Sequence, residues 1–100
     1  MKGNGKQIIM LMDIPGGTQD QYDQIMNALD LWNDSNAPQG LISHIAGKTD
    51  NGWLVIDTWE SQEDAQRFFD EKLGKASADA GLPHFQPQIV PLYNILKGSI

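Results

Sequence analysis

The feature that most constrains this chain is the run from Gly40 to Phe69, GLISHIAGKTDNGWLVIDTWESQEDAQRFF. Asn51-Gly52 is the dipeptide favoured by a two-residue hairpin turn, whose central positions both need φ > 0. β-branched and aromatic residues flank it on both sides. This predicts one strand over about Leu41 to Thr49 and another over about Gly52 to Glu60. Ser61, followed by Glu63-Asp64, then opens a helical pattern. A two-residue turn pairs Asp50 with Trp53, sets His44 opposite Trp59 and Ala46 opposite Asp57, and makes His44 and Asp57 diagonal neighbours on one face. The other face carries Leu41, Ser43, Ile45, Gly47, Leu54, Ile56 and Thr58, an uncharged set that suits a dry subunit contact. A three-residue turn would put His44 on the opposite side from Asp57.

The remaining segments complete a pattern. Residues 1–6 read as a loose tail, and residues 7–100 as one domain. An apolar first strand runs from about Gln7 to Ile14 and ends at Pro15-Gly16-Gly17. Thr18 and Gln21 fit a capping box, and Tyr22, Ile25, Met26, Leu29 and Trp32 recur at helical spacing, which predicts a helix ending near Asn33. The second helix presents Ala65, Phe68, Phe69, Leu73 and Ala76, and stops near Gly81 and Pro83. A last strand spans about Phe85 to Leu96.

The order strand, helix, strand, strand, helix, strand with right-handed crossovers gives an α+β, ferredoxin-like βαββαβ fold with a four-stranded antiparallel sheet. Pro87 and Pro91 share a parity, so both missing N–H groups lie on one side of the last strand. That is compatible only with an edge position.

Two helices cover one face of such a sheet. No strand has a consistently polar face, and leaving apolar surface wet forfeits about 25 cal/mol for each Å². The expected remedy is a homodimer that buries sheet against sheet. The net charge of −6, with seven scattered basic residues, offers no stripe for phosphates, so neither nucleic acid nor an anionic membrane is expected as a partner. There is no cysteine, which removes disulfides, thiolate metal sites and Cys nucleophiles together. The apolar run Ile8 to Met12 is too short for a signal peptide or a membrane span, and a soluble cytoplasmic protein is expected.

Few residues carry chemistry. His44 oriented by Asp57 is a reasonable general base. The same pair also reads as a histidine satisfied by a structural carboxylate. Trp59 and Trp53 suit a ligand wall or plain packing, as does Trp32 at the end of its helical stripe. His84 reads as an exposed loop residue, and His44 with His84 lacks metal-ligand spacing, so no metal site is expected. There is no phosphate-binding glycine loop and no serine in a nucleophile-elbow context.

With Asp57-Thr58-Trp59-Glu60-Ser61 leading into Phe68-Phe69, the chain resembles the antibiotic biosynthesis monooxygenase-like group of dimeric α/β-barrel proteins, over about residues 7 to 96. The resemblance implies a dimer whose sheets meet in a barrel. It also implies a pocket in each subunit between sheet and helices, with Trp59 on its wall. The haem-degrading branch of that group uses an Asn in the first strand and a His in the second helix. Here the first strand offers Ile9, Met10, Leu11 and Met12, and the second helix has no His, which argues against haem chemistry. The expected function is a cofactor-independent monooxygenase-like reaction on a phenol or hydroquinone, with His44 as base, Asp57 as its orienter, and Trp59, Trp32, Phe68 and Phe69 as aromatic walls. The alternative is a non-catalytic dimeric barrel that binds a small apolar ligand or serves assembly.

Overall fold

The computed structural model describes residues 6–99. Of the segment expected to be a loose tail, only Lys6 falls among the described residues, and it is exposed. Four strands, β1 (Ile8–Pro15), β2 (Leu41–Lys48), β3 (Gly52–Trp59) and β4 (Gln88–Pro91), form one antiparallel sheet in the order β2-β3-β1-β4. Helix α1 (Gln19–Leu29) joins β1 to β2. Helix α2 (Gln62–Phe68), a π-helical turn (Phe69–Leu73) and helix α3 (Gly74–Asp79) join β3 to β4. This is the ferredoxin-like βαββαβ architecture, with the proline-bearing β4 at an edge.

The helices start where the capping chemistry requires. Thr18 Oγ1 accepts from the Gln21 amide, and the Gln21 side chain accepts from the Thr18 amide, so two orphan donors are satisfied reciprocally. Ser61 Oγ accepts from the Asp64 amide at 3.1 Å. Helix ends differ from expectation. Helix α1 stops at Leu29 because Asp30 adopts the left-handed conformation (φ 56°), and the Leu31 amide folds back onto the Met26 carbonyl at 2.9 Å. Trp32 therefore lies outside the helix.

In the second helical region, Ala65 and Ala76 are buried. Phe68 and Phe69 are adjacent and point about 100° apart, so both cannot face the sheet. Phe68 turns inward, and Phe69 is 47% exposed. Strand β4 is shorter than the expected 85–96. Its partner β1 begins at Ile8, opposite Pro91, and beyond that, among the described residues, only the Leu92 amide finds a strand-like partner, the Gln7 carbonyl at 2.9 Å.

The hairpin holds the main correction. The observed pairs are Lys48 with Trp53 and His44 with Asp57, a shift of two from the expected register. Neither Asn51 nor Gly52 has a positive φ. Instead, the Gly52 amide donates to Thr49 Oγ1 at 2.9 Å, and the Thr49 amide donates to the Gly52 carbonyl at 3.0 Å, leaving Asp50 and Asn51 as the loop. Gly52 is required for another reason. A Cβ there would lie 2.1 Å from the Ile14 carbonyl oxygen, where the end of β1 crosses the hairpin. At the far end of β2 the register slips between Leu41 and Ser43. This bulge turns Leu41, expected on the open face, toward the helices, where it packs against the cluster formed by Ile8, Trp59 and Ala65.

The core lies under the helices in two parts. One cluster comprises Met12, Ile14, Trp53 and Val55, the other Ile8, Trp59 and Ala65. Asp57 sits on the same face of β3, between Val55 and Trp59. The opposite face of the sheet leaves Ile9, Leu11, Leu54 and Ile56 half-buried, and Ile45 63% exposed. Among the described residues no helix is long and apolar enough to cross a membrane.

Candidate functional site

A cavity of about 470 Å³ between sheet and helices is lined by Met12, Ile14, Trp53 and Val55 of the first core cluster and by Trp59 of the second. Alternation along β3 aims Trp53, Val55, Asp57 and Trp59 into this layer, and direct pairing with Asp57 brings His44 of β2 to the same side. The expected diagonal contact is thus a closer one. The two-residue shift preserves the face, because side chains alternate with a period of two.

His44 Nδ1 lies 2.6 Å from Asp57 Oδ1, and the two side chains are 27% and 10% exposed. With Asp57 ionised, Nδ1 carries the proton and donates, which leaves Nε2 as an acceptor. Its partner is the Tyr22 hydroxyl at 2.5 Å. The two rings are nearly parallel (2°) with centroids 5.9 Å apart. That spacing suits a phenol O–H aimed in-plane at the ring nitrogen lone pair, and is too long for face-to-face stacking. The result is a continuous chain, Tyr22–His44–Asp57, along the cavity wall.

Tyr22 is held from α1 by its neighbours. Its ring lies 5.2 Å from that of Trp53 and meets Trp32 edge-on at 6.2 Å. Burial, then the nearby charges of Asp57 and Asp23, push the Tyr22 hydroxyl above its ordinary value of 10.0, so it stays protonated and remains a donor.

The expected wall residues divide. Trp59, 2% exposed, packs against Phe68 with centroids 5.9 Å apart, and both line the cavity. The Trp59 indole N–H is buried without a hydrogen-bond partner among the described residues. Phe69 lines an adjacent space of about 370 Å³ that shares Trp59, Phe68 and Asp57 with the first. Trp32 lies outside both, 58% exposed, with its indole N–H donating to Asn27 Oδ1 at 2.7 Å. Its contact with the site runs through Tyr22. His84 is exposed. Among the described residues no group of three His, Asp or Glu side chains converges on a metal-sized gap.

Sequence reasoning read Tyr22 only as part of an apolar helical stripe. The available signal was that a buried tyrosine hydroxyl needs a partner. Every other residue of that stripe except Trp32 lacks a polar atom on its side chain, or carries only a thioether.

No protein-family model matches the chain, and no curated protein matches it by sequence. Solved structures match by fold. SnoaB, a cofactor-independent oxygenase from Streptomyces nogalater, is 12% identical with a TM-score of 0.64, covering 93% of this chain and 99% of its own. A protein of unknown function from Nitrosomonas europaea is 20% identical with a TM-score of 0.60, covering 94% and 95%. A dimeric ferredoxin-like protein from an uncultured marine organism is 15% identical with a TM-score of 0.56, covering 96% and 95%. At these identities the likeness is one of fold. The fold is shared with an oxygenase, with proteins of no assigned role, and with a protein described as dimeric.

Proposed function

We propose that this chain is a cofactor-independent monooxygenase-like enzyme that takes a small phenol or hydroquinone into the space between sheet and helices. The carrying observation is His44, bonded at 2.6 Å to a largely buried carboxylate on the wall of a mostly apolar cavity. Asp57 fixes the imidazole and faces the imidazolium that forms on proton uptake. Removing the hydroxyl proton leaves a phenolate electron-rich enough to give one electron to O₂. With a phenol whose para carbon bears hydrogen, phenoxyl radical and superoxide combine at that carbon. The peroxide takes back the proton and loses water together with the ring hydrogen, leaving a quinone. The protein supplies a base, orientation and a dry wall, for which Trp59 and Phe68 are the aromatic surfaces. The open, apolar sheet face and the dimeric fold neighbour support a homodimer joined through that face.

The test is oxygen uptake with a panel of phenols and hydroquinones. Turnover is expected in the wild type and at least a hundredfold loss in His44→Ala. Undiminished turnover in His44→Ala would remove His44 from the mechanism.

One observation favours a non-catalytic binding barrel instead: both His44 ring nitrogens already have protein partners. On that reading a ligand quenches tryptophan fluorescence and is recovered unchanged under oxygen.

A further inference from the structure

A histidine with both nitrogens engaged has no lone pair to offer a ligand. Nδ1 is held by Asp57 at 2.6 Å and Nε2 by the Tyr22 hydroxyl at 2.5 Å. The next atom along the chain is different. Tyr22 spends its one proton on Nε2, and its oxygen retains acceptor capacity at the wall of the same cavity. We infer that Tyr22 is the catalytic residue that receives the substrate's hydroxyl proton, handing its own to His44, so that His44 acts through Tyr22 without touching the substrate. This rests on the phenol-binding reading above and alters which atom meets the phenol.

The transfer balances without a co-reactant. The substrate O–H bond breaks and a Tyr22 O–H bond forms, while the former Tyr22 O–H bond breaks and an Nε2–H bond forms. The electron pair stays on the substrate oxygen. The products are a substrate phenolate, a neutral Tyr22 and an imidazolium facing Asp57. Tyr22 is a poor resting place for negative charge, because its burial and the fields of Asp57 and Asp23 disfavour a tyrosinate. The proton must therefore pass on as the next arrives. The titratable groups lining the cavity are Tyr22, Asp34, His44 and Asp57, with Asp23 acting on Tyr22 from its own helix. Of these, only His44 is within hydrogen-bond reach of the Tyr22 hydroxyl.

The arrangement also fixes where a phenol must sit. Tyr22 is braced by Trp53 on one side and Trp32 on another, so its oxygen does not swing away to expose Nε2 without breaking those ring contacts. A substrate hydroxyl meets the tyrosine oxygen, and the substrate ring extends toward Trp59 and Phe68.

The experiment uses the full chain and para-nitrophenol, whose anion is yellow. Binding is read by tryptophan quenching, and the ionisation of the bound probe by absorbance against pH. In the wild type the bound probe's pKa is expected to fall by at least about one unit, a tenfold shift in its ionisation. Tyr22→Phe and His44→Ala are each expected to retain quenching within about threefold and to lose that shift. If Tyr22→Phe keeps the full shift while His44→Ala loses it, Nε2 addresses the ligand directly and the inference is overturned, with the phenol site intact. If the wild type shows no quenching, the phenol-binding reading falls and the inference with it.

A second measurement guards against a Tyr22→Phe variant that does not fold. The chain has two tyrosines, and Tyr93 is fully exposed. Fluorotyrosine incorporated into a Tyr93→Phe background therefore labels Tyr22 alone. A more acidic Tyr22 donates more strongly to the bound phenolate and is expected to deepen the probe's shift. An unchanged shift would overturn the inference.

Discussion

Replacing Gly52 with alanine tests the contact that sets the hairpin register, and through it the pairing of His44 with Asp57. The added Cβ would stand 2.1 Å from the Ile14 carbonyl oxygen, 2.7 Å from the Gly16 nitrogen and 3.0 Å from the Pro15 Cα. All three are backbone atoms, so no side-chain rotation relieves them. An ordinary non-bonded separation is roughly 3.5 Å, so the end of β1 and the hairpin must part by more than about 1 Å. Overpacking of this kind costs about 2 kcal/mol. The parting also breaks the bond from the Gly16 amide to the Asn51 carbonyl (2.8 Å) and strains that from the Thr49 amide to the Gly52 carbonyl (3.0 Å). Each contributes roughly 1 kcal/mol. The lower entropy of the unfolded alanine chain returns about 0.4–1 kcal/mol. The net loss is about 3 kcal/mol, a large share of the roughly 5–15 kcal/mol that holds a small domain together. Urea unfolding followed by tryptophan fluorescence is expected to show an unchanged slope and a midpoint lowered by about 1–3 M. Two controls separate this mechanism from a turn effect. Gly47→Ala has no atom within 4 Å of its new Cβ, and Asn51→Ala has no positive φ to violate. Both are expected within about 0.5 kcal/mol of the wild type. A Gly52→Ala loss no larger than these, or an Asn51→Ala loss approaching it, would refute the close-approach account and restore the two-residue Asn51-Gly52 turn.

Three further expectations concern the site and the open face. Asp57→Asn keeps the shape and a hydrogen bond to His44 but removes the charge that faces the imidazolium. Turnover on any active phenol is expected to fall at least tenfold, with binding by quenching little changed. In alkaline solution the sign follows from Tyr22. Its hydroxyl is raised above 10.0 in the folded chain, so the stability it contributes is fully present below about pH 10 and is lost as pH climbs through the folded value. The urea midpoint of the wild type is expected to fall relative to that of Tyr22→Phe as pH rises above about 10, and a constant difference would contradict the assignment. Light scattering at micromolar concentration is expected to give a dimer mass, and Ile45→Glu on the open face is expected to shift it toward monomer. A wild-type monomer would contradict sheet-to-sheet association.

The parts of the fold that were legible in the chain depend on local chemistry or on strict alternation. Thr18 and Ser61 cap helices because a side-chain oxygen needs only its own neighbours. Pro87 and Pro91 mark an edge because their lost donors lie on one side. The site was half legible for the same reason, since any even shift of register leaves His44 and Asp57 on one face. What was not legible came from contacts distant in sequence. The Asn51-Gly52 signal is overridden by the Thr49 side chain and by β1 pressing on Gly52 from across the sheet. Helix α1 ends early because Asp30 accepts a left-handed conformation that glycine would take more readily. Tyr22 was hidden because the helical stripe scores its ring and ignores its hydroxyl, whose partner lies 22 residues away.

The hollow between sheet and helices has a consequence for how occupancy is read. Unfolding under hydrostatic pressure is driven by internal void that disappears when the chain opens, whereas this space of about 470 Å³ opens to solvent and admits water, so it adds little to that volume change. A ligand that takes the water's place and binds only the folded chain raises the unfolding midpoint by mass action. The shift in that midpoint is a gauge of occupancy that works without a chromophore, without turnover and for a ligand of any chemistry.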